Sequence, residues 1–84
     1  MSNLPKQEVL VGATLKVLEN LGGQAHFRDI EKGVIAYLNI DANLTRVIRS
    51  GNRTELAYRL SWARTKCKAL GKIENVGNGN WKLT

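Results

Sequence analysis

The chain has 84 residues, of which 43% are apolar and 24% charged, and its formal net charge is +6. This length accommodates one domain with one small core, residues 1–84, and the apolar share excludes a disordered basic tail. No apolar run reaches the roughly 20 residues that span a bilayer, and the N-terminus MSNLPKQEVL lacks the basic-then-apolar order of a secretory signal, so we expect a cytoplasmic protein.

The first predicted element is a helix that begins at Pro5, a residue favoured in the first helical turn, with Asn3 or Leu4 just outside it. The Gly22-Gly23 pair is a stop signal and predicts its end. Apolar residues recur between these limits at spacings of three and four: Leu10, Ala13, Val17, Leu18 and Leu21.

A minimal strand over residues 24–27 and a second helix over 28–38 are predicted next. The residues of this helix expected to face inward are Ile30, Val34, Ile35 and Leu38. Residues 39–53 predict a longer connection, anchored by Ile40, Leu44 and Val47. Within it, Ser50-Gly51 followed by Asn52 is typical of a turn.

The third and longest helix is predicted over residues 55–70, with Thr54 as its N-cap and Gly71 as its stop. On a helical wheel, one side forms an apolar stripe of Leu56, Leu60, Ala63, Cys67 and Leu70. The opposite side presents Thr54, Tyr58, Ser61, Thr65 and Lys68. This register makes Cys67 a core residue rather than a nucleophile.

After Gly71, polar and apolar residues alternate, which predicts strands over residues 72–76 and 80–84. The Asn78-Gly79 step between them favours a tight hairpin turn. The resulting order of helix, short strand, helix, helix and hairpin predicts an α+β fold, a winged helix-turn-helix with three helices and a C-terminal β-hairpin wing.

Two residues that often carry chemistry occur singly here. Cys67 and His26 are the only cysteine and histidine, so neither an intrachain disulfide nor a zinc site is expected. His26 has no visible acid–base partner, and we interpret it as a partly buried or strand-end residue.

The positive charge is concentrated in residues 46–72, which contain eight Lys and Arg residues and one acid, Glu55, for a net charge of +7. The residues before this segment sum to −1 and those after it to zero. Charge focused on one loop and one helix indicates a polyanionic partner, and duplex DNA fits a helix that stands out from its domain.

Recognition helices usually insert their first turn into the major groove. The residues that this turn would bring near the base edges are Asn52, Arg53, Thr54 and Glu55. Arg53 could pair with guanine and Asn52 with adenine. Further expected groove contacts are Tyr58, Ser61 and Thr65. Expected phosphate contacts are Arg49, Arg64, Lys66, Lys68 and Lys72, and wing contacts are Asn78, Asn80 and Lys82.

The two tryptophans are expected to pack rather than to stack on bases. We place Trp62 against the hairpin and Trp81 in the core. Arg59 has an alternative role, because Glu55 lies four residues before it and an i,i+4 salt bridge would occupy both. Two roles stay open for Tyr58: it contacts the groove, or it is an ordinary exposed tyrosine.

Several motifs resemble a known family. The run Ser50-Gly51-Asn52-Arg53-Thr54, the segment YRLSWART from Tyr58, and the closing ALGKI and GNWKLT are similar to the N-terminal winged-helix domain of Mrr-type restriction enzymes, which cut modified DNA. The similarity covers essentially the whole chain. Two departures, Cys67 in place of the usual leucine and Lys72 in place of an apolar residue, indicate a divergent member.

The resemblance implies a target-recognition module of a bacterial restriction or defence system, associated with the nucleoid. Such a module would bind double-stranded DNA and sense a modified base, for example a methylated one. The family's nuclease domain follows this module and carries an acidic metal-binding motif. Asp29 and Glu31 do not reproduce that motif, so we expect no catalysis and no cofactor.

Three alternatives stay open from the residues alone. A winged helix with a basic face could dock an acidic protein, and a transcriptional regulator could share this fold. Such regulators often dimerise, but no spare helix remains here for a partner, so a monomer is favoured over a dimer. An enzyme is the third and the least supported alternative.

Overall fold

The computed structural model describes residues 4–84, which form an α+β winged helix-turn-helix. Its helices are α1 (Gln7–Asn20), α2 (Phe27–Tyr37) and α3 (Glu55–Ala69), with a single 3-10 turn at Leu44–Arg46. Its strands are β1 (Gln24–His26), β2 (Ile48–Ser50), β3 (Arg53–Thr54), β4 (Ile73–Gly77) and β5 (Asn80–Leu83). The predicted fold class is therefore confirmed, and the predicted helices and strands occur in the expected order, with the 3-10 turn, β2 and β3 as additional elements between α2 and α3.

Helix α1 begins two residues later than predicted, with Lys6 as its N-cap; the candidate cap Asn3 lies outside the described residues. The predicted stop is confirmed, because Gly22 and Gly23 have φ values of 92° and 93°. The amide of Gly23 donates to the Leu18 carbonyl at 2.8 Å, which closes a Schellman motif. Leu21 precedes this turn and is exposed, unlike the rest of its apolar stripe.

Helix α2 is capped by His26, whose Nδ1 accepts a hydrogen bond from the Arg28 amide at 3.1 Å. Ile30 and Val34 are fully buried, while Ile35 and Leu38 are half-buried against the core. Gly33 packs against Val17 of α1, since a Cβ at this position would overlap Cγ1 of Val17. A glycine is therefore required inside this helix by packing rather than by backbone conformation.

Helix α3 has the predicted cap and core stripe. The Thr54 hydroxyl accepts from the Ala57 amide at 3.0 Å, and the buried residues include Leu56, Leu60, Ala63 and Cys67. The prediction for Leu70 is wrong: it is the C-cap and 52% exposed. The helix ends before Leu70 completes another inward turn, and Gly71, with φ 73°, redirects the chain into β4.

The C-terminal hairpin is confirmed and forms a three-stranded antiparallel sheet in the order β1-β5-β4. Its turn residues Asn78 and Gly79 have φ values of 54° and 80°, as a tight hairpin turn requires. Gly79 packs against His26 and Phe27, where a Cβ would approach His26 Nε2 to 2.7 Å. The sheet therefore joins the wing to the start of α2.

The connection before α3 differs from the prediction, because β2 and β3 pair there into a second, two-stranded sheet. The turn at Ser50-Gly51-Asn52 is confirmed, with Gly51 at φ 54°. Ile40 packs against the core and Leu44 is half-buried, but Val47 is 46% exposed and is not an anchor. Its carbonyl instead accepts from the Glu55 amide at 2.8 Å, which fixes the start of α3.

Candidate nucleic-acid interface

One side of α3 is turned away from the core, and we call it the outer face: Tyr58, Trp62, Thr65, Lys66 and Ala69. Trp62 is 53% exposed, so the prediction that it packs against the hairpin is wrong. Two residues turn a helix through about 200°, and Trp62 therefore points away from the buried Leu60. Trp81, by contrast, is half-buried and packs against the core as predicted.

The outer face forms one wall of a shallow cavity of about 490 Å³, and Gln7 of α1 closes it on one side. Tyr58 and Trp62 meet there edge to face, with ring centroids 6.4 Å apart and an interplanar angle of 73°. Arg59 and Lys66 also line the cavity. The middle of the predicted reading surface is thus apolar and aromatic, with cations on one side.

Two arginines, Arg49 and Arg59, contact Glu55 at the first turn of α3, and we call these three residues the arginine cluster. The Glu55 carboxylate accepts from Arg49 Nη1 at 3.0 Å and from Arg59 Nε at 2.9 Å, one bond on each oxygen. The predicted i,i+4 pair with Arg59 is confirmed. These two arginines, Arg59 first and Arg49 second, hold the pKa of the Glu55 carboxyl below its usual value.

The ring of Tyr58 contacts one arginine from β2 and one from β3, Arg49 and Arg53. The Arg49 guanidinium carbon lies 3.7 Å from the Tyr58 ring centroid, and that of Arg53 lies 5.6 Å from it. Both distances are within cation–π range. The small sheet that the sequence did not reveal therefore places Arg49 and Arg53 against the outer face of α3.

The position of Arg64 differs from the one predicted for a phosphate contact. It was expected to reach phosphates from the flank of α3, but it is 8% exposed. Its Nη1 donates to Glu31 Oε2 of α2 at 3.3 Å, and its guanidinium lies 5.2 Å from the Phe27 ring centroid. Burial lowers the pKa of Arg64, yet an arginine stays charged. Arg64 thus links α2 to α3 and does not face solvent.

The hydroxyl groups predicted for the reading surface are already engaged. Thr54 caps α3, Ser61 Oγ donates to the Tyr58 carbonyl at 2.7 Å, and Thr65 Oγ1 donates to the Ser61 carbonyl at 3.0 Å. Asn52 is exposed at the turn between β2 and β3. Arg53 and Asn52 are therefore the predicted residues with side chains most available for base edges.

The remaining cations of the basic segment are exposed: Arg46, Arg53, Lys66, Lys68 and Lys72. None of these five forms an ion pair within residues 4–84. Lys66 and Lys68 lie in the last turn of α3, and Lys72 follows the helix. They provide positive charge at the far end of the helix from the arginine cluster.

The wing residues divide into engaged and available ones. Asn80 Nδ2 donates to the Gly77 carbonyl at 3.2 Å and so stabilises the hairpin turn. Asn78 and Lys82 are exposed, and Lys82 stands between Gln24 and Glu74 in the strand register. The wing therefore offers one amide and one cation.

Three further observations concern residues 4–84. No cluster of three or more histidine, cysteine or carboxylate side chains within them could hold a metal ion. None of the helices in this part of the chain has the length and apolar character needed to cross a bilayer. Burial raises the pKa of the Cys67 thiol, as its predicted place in the core requires.

Fold and site together define a winged helix-turn-helix whose third helix has a basic and partly aromatic exposed side. The family model of the Mrr N-terminal domain matches residues 8–84, so the chain belongs to that restriction-associated family. Comparisons with curated proteins and with solved structures found no match.

Proposed function

We propose that the chain is one domain that binds duplex DNA without catalysis and acts as the target-recognition module of a restriction system. The observation that carries the proposal is the outer face of α3, which is unpartnered within residues 4–84 and carries or borders cations, of which Arg53 and Lys66 have no acid partner in this part of the chain. A protruding helix of this width fits the major groove of B-DNA. Membership of the Mrr N-terminal family supports the restriction context.

The exposed cations would supply affinity. Five of them are unpaired within the described residues: Arg46, Arg53, Lys66, Lys68 and Lys72. If each neutralises one phosphate, the log–log slope of affinity against salt is roughly −4 to −5. Asn78 and Lys82 of the wing would add contacts along the backbone. Because such contacts carry no sequence information, discrimination must come from another set of residues.

Base reading is assigned to the start of α3 and the turn before it. Arg53 lies in β3, and its fork of N–H donors suits O6 and N7 of guanine. Asn52, exposed at the turn, suits N6 and N7 of adenine. Thr54 supports them indirectly, because its capping hydrogen bond holds the first turn of the helix in place.

A modified base would be sensed by the apolar middle of the outer face. A methyl group on C5 of a pyrimidine projects into the major groove, where apolar side chains contact it. Tyr58, Trp62 and the methyl of Thr65 offer such contacts, since the Thr65 hydroxyl is engaged by the Ser61 carbonyl. We therefore expect a preference for duplexes with C5-methyl groups.

A second candidate function has one observation in its favour. An exposed tryptophan in an apolar cavity of about 490 Å³ is also typical of protein-docking surfaces. In that case the basic border would select an acidic partner. Competition with non-specific duplex separates the two functions, because a protein-docking surface would not bind the duplex.

Fluorescence anisotropy of labelled duplexes provides the test, with one sequence prepared unmodified, with 5-methylcytosine and with N6-methyladenine. We expect binding to all three at about 50 mM salt, a steep loss of affinity with added salt, and the tightest binding to the 5-methylcytosine duplex. Absence of binding at micromolar duplex and about 50 mM salt would disprove DNA binding. Equal affinity for the three duplexes would reject modified-base sensing only.

A further inference from the structure

Glu55 has a singular position in the basic segment. It is the only acid among residues 46–72. It stands at the first turn of α3, where the proposed function places the DNA, and each of its two oxygens holds a different arginine. A carboxylate at this place repels phosphates and also occupies two of the groups that would otherwise bind them.

The ion pairs of Glu55 are easily exchanged. Arg49 and Arg59 keep 42% and 41% of their side-chain surface exposed while they contact Glu55, which itself keeps 20%. Pairs exposed to this degree contribute little to stability, because solvent screens them. A phosphate of the DNA backbone offers the same two-pronged acceptor geometry to a guanidinium. The two arginines can therefore leave Glu55 for phosphates without disrupting the fold.

Tyr58 keeps one of these arginines in place whichever acceptor it uses. The Arg49 guanidinium carbon lies 3.7 Å from the centroid of the Tyr58 ring, which is within cation–π range. Stacking of this kind persists when the hydrogen-bond partner changes, because it engages the face of the guanidinium and leaves its edge donors available. Arg49 would thus reach a phosphate with a side chain already oriented.

We propose that Glu55 determines specificity in the α3 interface by holding Arg49 and Arg59 away from phosphates. This inference rests on the proposed DNA-binding function. The carboxylate lowers affinity for duplex of any sequence, so that tight binding requires the additional base contacts of a correct target. Discrimination by weakening the wrong complex is a general route to specificity.

The test compares Glu55→Gln with a matched control, Glu19→Gln. Both variants raise the net charge by one, but Glu19 lies near the end of α1 and, among the described residues, pairs only with Lys16. For duplex of unrelated sequence at about 50 mM salt, Glu55→Gln should tighten binding about tenfold. It should also make the log–log salt slope more negative by about one to two, as one or two arginines gain phosphate contacts. Glu19→Gln should change neither.

The Glu55→Gln substitution is also made in a variant that lacks both arginines. This comparison distinguishes an effect of releasing the arginines from an effect of removing one negative charge. With Arg49→Ala and Arg59→Ala already in place, Glu55→Gln should leave the salt slope unchanged. A change of slope there as large as in the otherwise wild-type chain would overturn the proposal, because no arginine would remain to be released. Thermal unfolding of every variant shows that all are folded at the temperature of the binding assay.

The remaining outcomes are also decisive. Unchanged affinity and slope in Glu55→Gln would overturn the proposal while leaving DNA binding intact. Weaker binding would overturn it as well, because Glu55 would then contact the DNA favourably, for example through the amino group of cytosine. Failure of the wild-type chain to bind any duplex would reject the proposed function itself, before any variant is made.

Discussion

Two arginine–glutamate sites of α3 share their chemistry and differ in their surroundings. Arg64 and Glu31 meet between α2 and α3, with 9% and 22% of their side-chain surfaces exposed. Arg49, Arg59 and Glu55 meet at the first turn of α3, with 42%, 41% and 20% of their side-chain surfaces exposed, so the two sites differ in the exposure of their arginines and not of their carboxylates. Burial makes the first pair part of the fold, because an uncompensated charge there would be costly, whereas the second can exchange partners. All three arginines lie in the basic segment, so the exposure of each arginine, and not its place in the sequence, determines whether it is available to a ligand.

The largest effect that tests this comparison is expected for Glu31→Ala. Removal of Glu31 leaves the Arg64 guanidinium buried without its counter-charge, and Arg64 Nε already has no hydrogen-bond partner within residues 4–84. Breaking such a pair should lower the free energy of unfolding by about 3 kcal/mol, measured by urea denaturation. This is comparable with the roughly 2–5 kcal/mol expected for Leu60→Ala in the core.

A double variant provides the control for Glu31→Ala. Arg64→Met combined with Glu31→Ala removes both charges and should recover most of the lost stability, since an apolar pair is often as stable as a buried ion pair. DNA affinity of the folded protein should be unchanged in both variants. A loss below about 1 kcal/mol for Glu31→Ala would place this pair with the exposed contacts and remove the distinction.

A smaller effect, on binding rather than on stability, is expected for Arg53→Ala. If Arg53 pairs with guanine, affinity for the preferred duplex should fall by about 1–3 kcal/mol and discrimination at one base pair should be lost. Lys68→Ala is the matched control, because it should weaken all duplexes alike and make the salt slope less negative by about one. Anisotropy titrations over a set of single-base variants measure both. An unchanged base preference in Arg53→Ala would mean that α3 docks differently.

The local features of the fold were predictable because short-range chemistry determines them. The Thr54 cap, the Gly22-Gly23 stop and the Asn78-Gly79 turn were each predicted from adjacent residues and are confirmed. The apolar stripe of α3 was predicted from the helical period alone, up to Leu70, where the helix has already ended. The strands β2 and β3 have three and two residues, which is too few for an alternating pattern to be recognised.

The candidate site was less predictable, because it depends on long-range contacts. Arg64 was placed on the flank of α3 by its register, but the partner that buries it, Glu31, is 33 residues away in the sequence. The contact of Arg49 with Tyr58 depends on the undetected pairing of β2 with β3. The exposure of Trp62 could have been found, since a residue two positions from Leu60 must point away from the core.

The smallest expected effect is the pH dependence of the exposed cluster. Arg59 and Arg49 lower the pKa of Glu55 in the folded protein, so the stability gained from these contacts is fully present above the unfolded carboxyl pKa of about 4.3. It is lost as the pH falls through the lower folded pKa. The difference in unfolding free energy between wild type and Glu55→Gln should therefore be small at pH 7 and vanish once the pH is below the folded pKa of Glu55, measured by urea denaturation. Contributions from other carboxyl groups cancel in this difference. A difference that stays constant with pH would show that the amide acts through packing, and the exposed cluster would then resemble the buried pair.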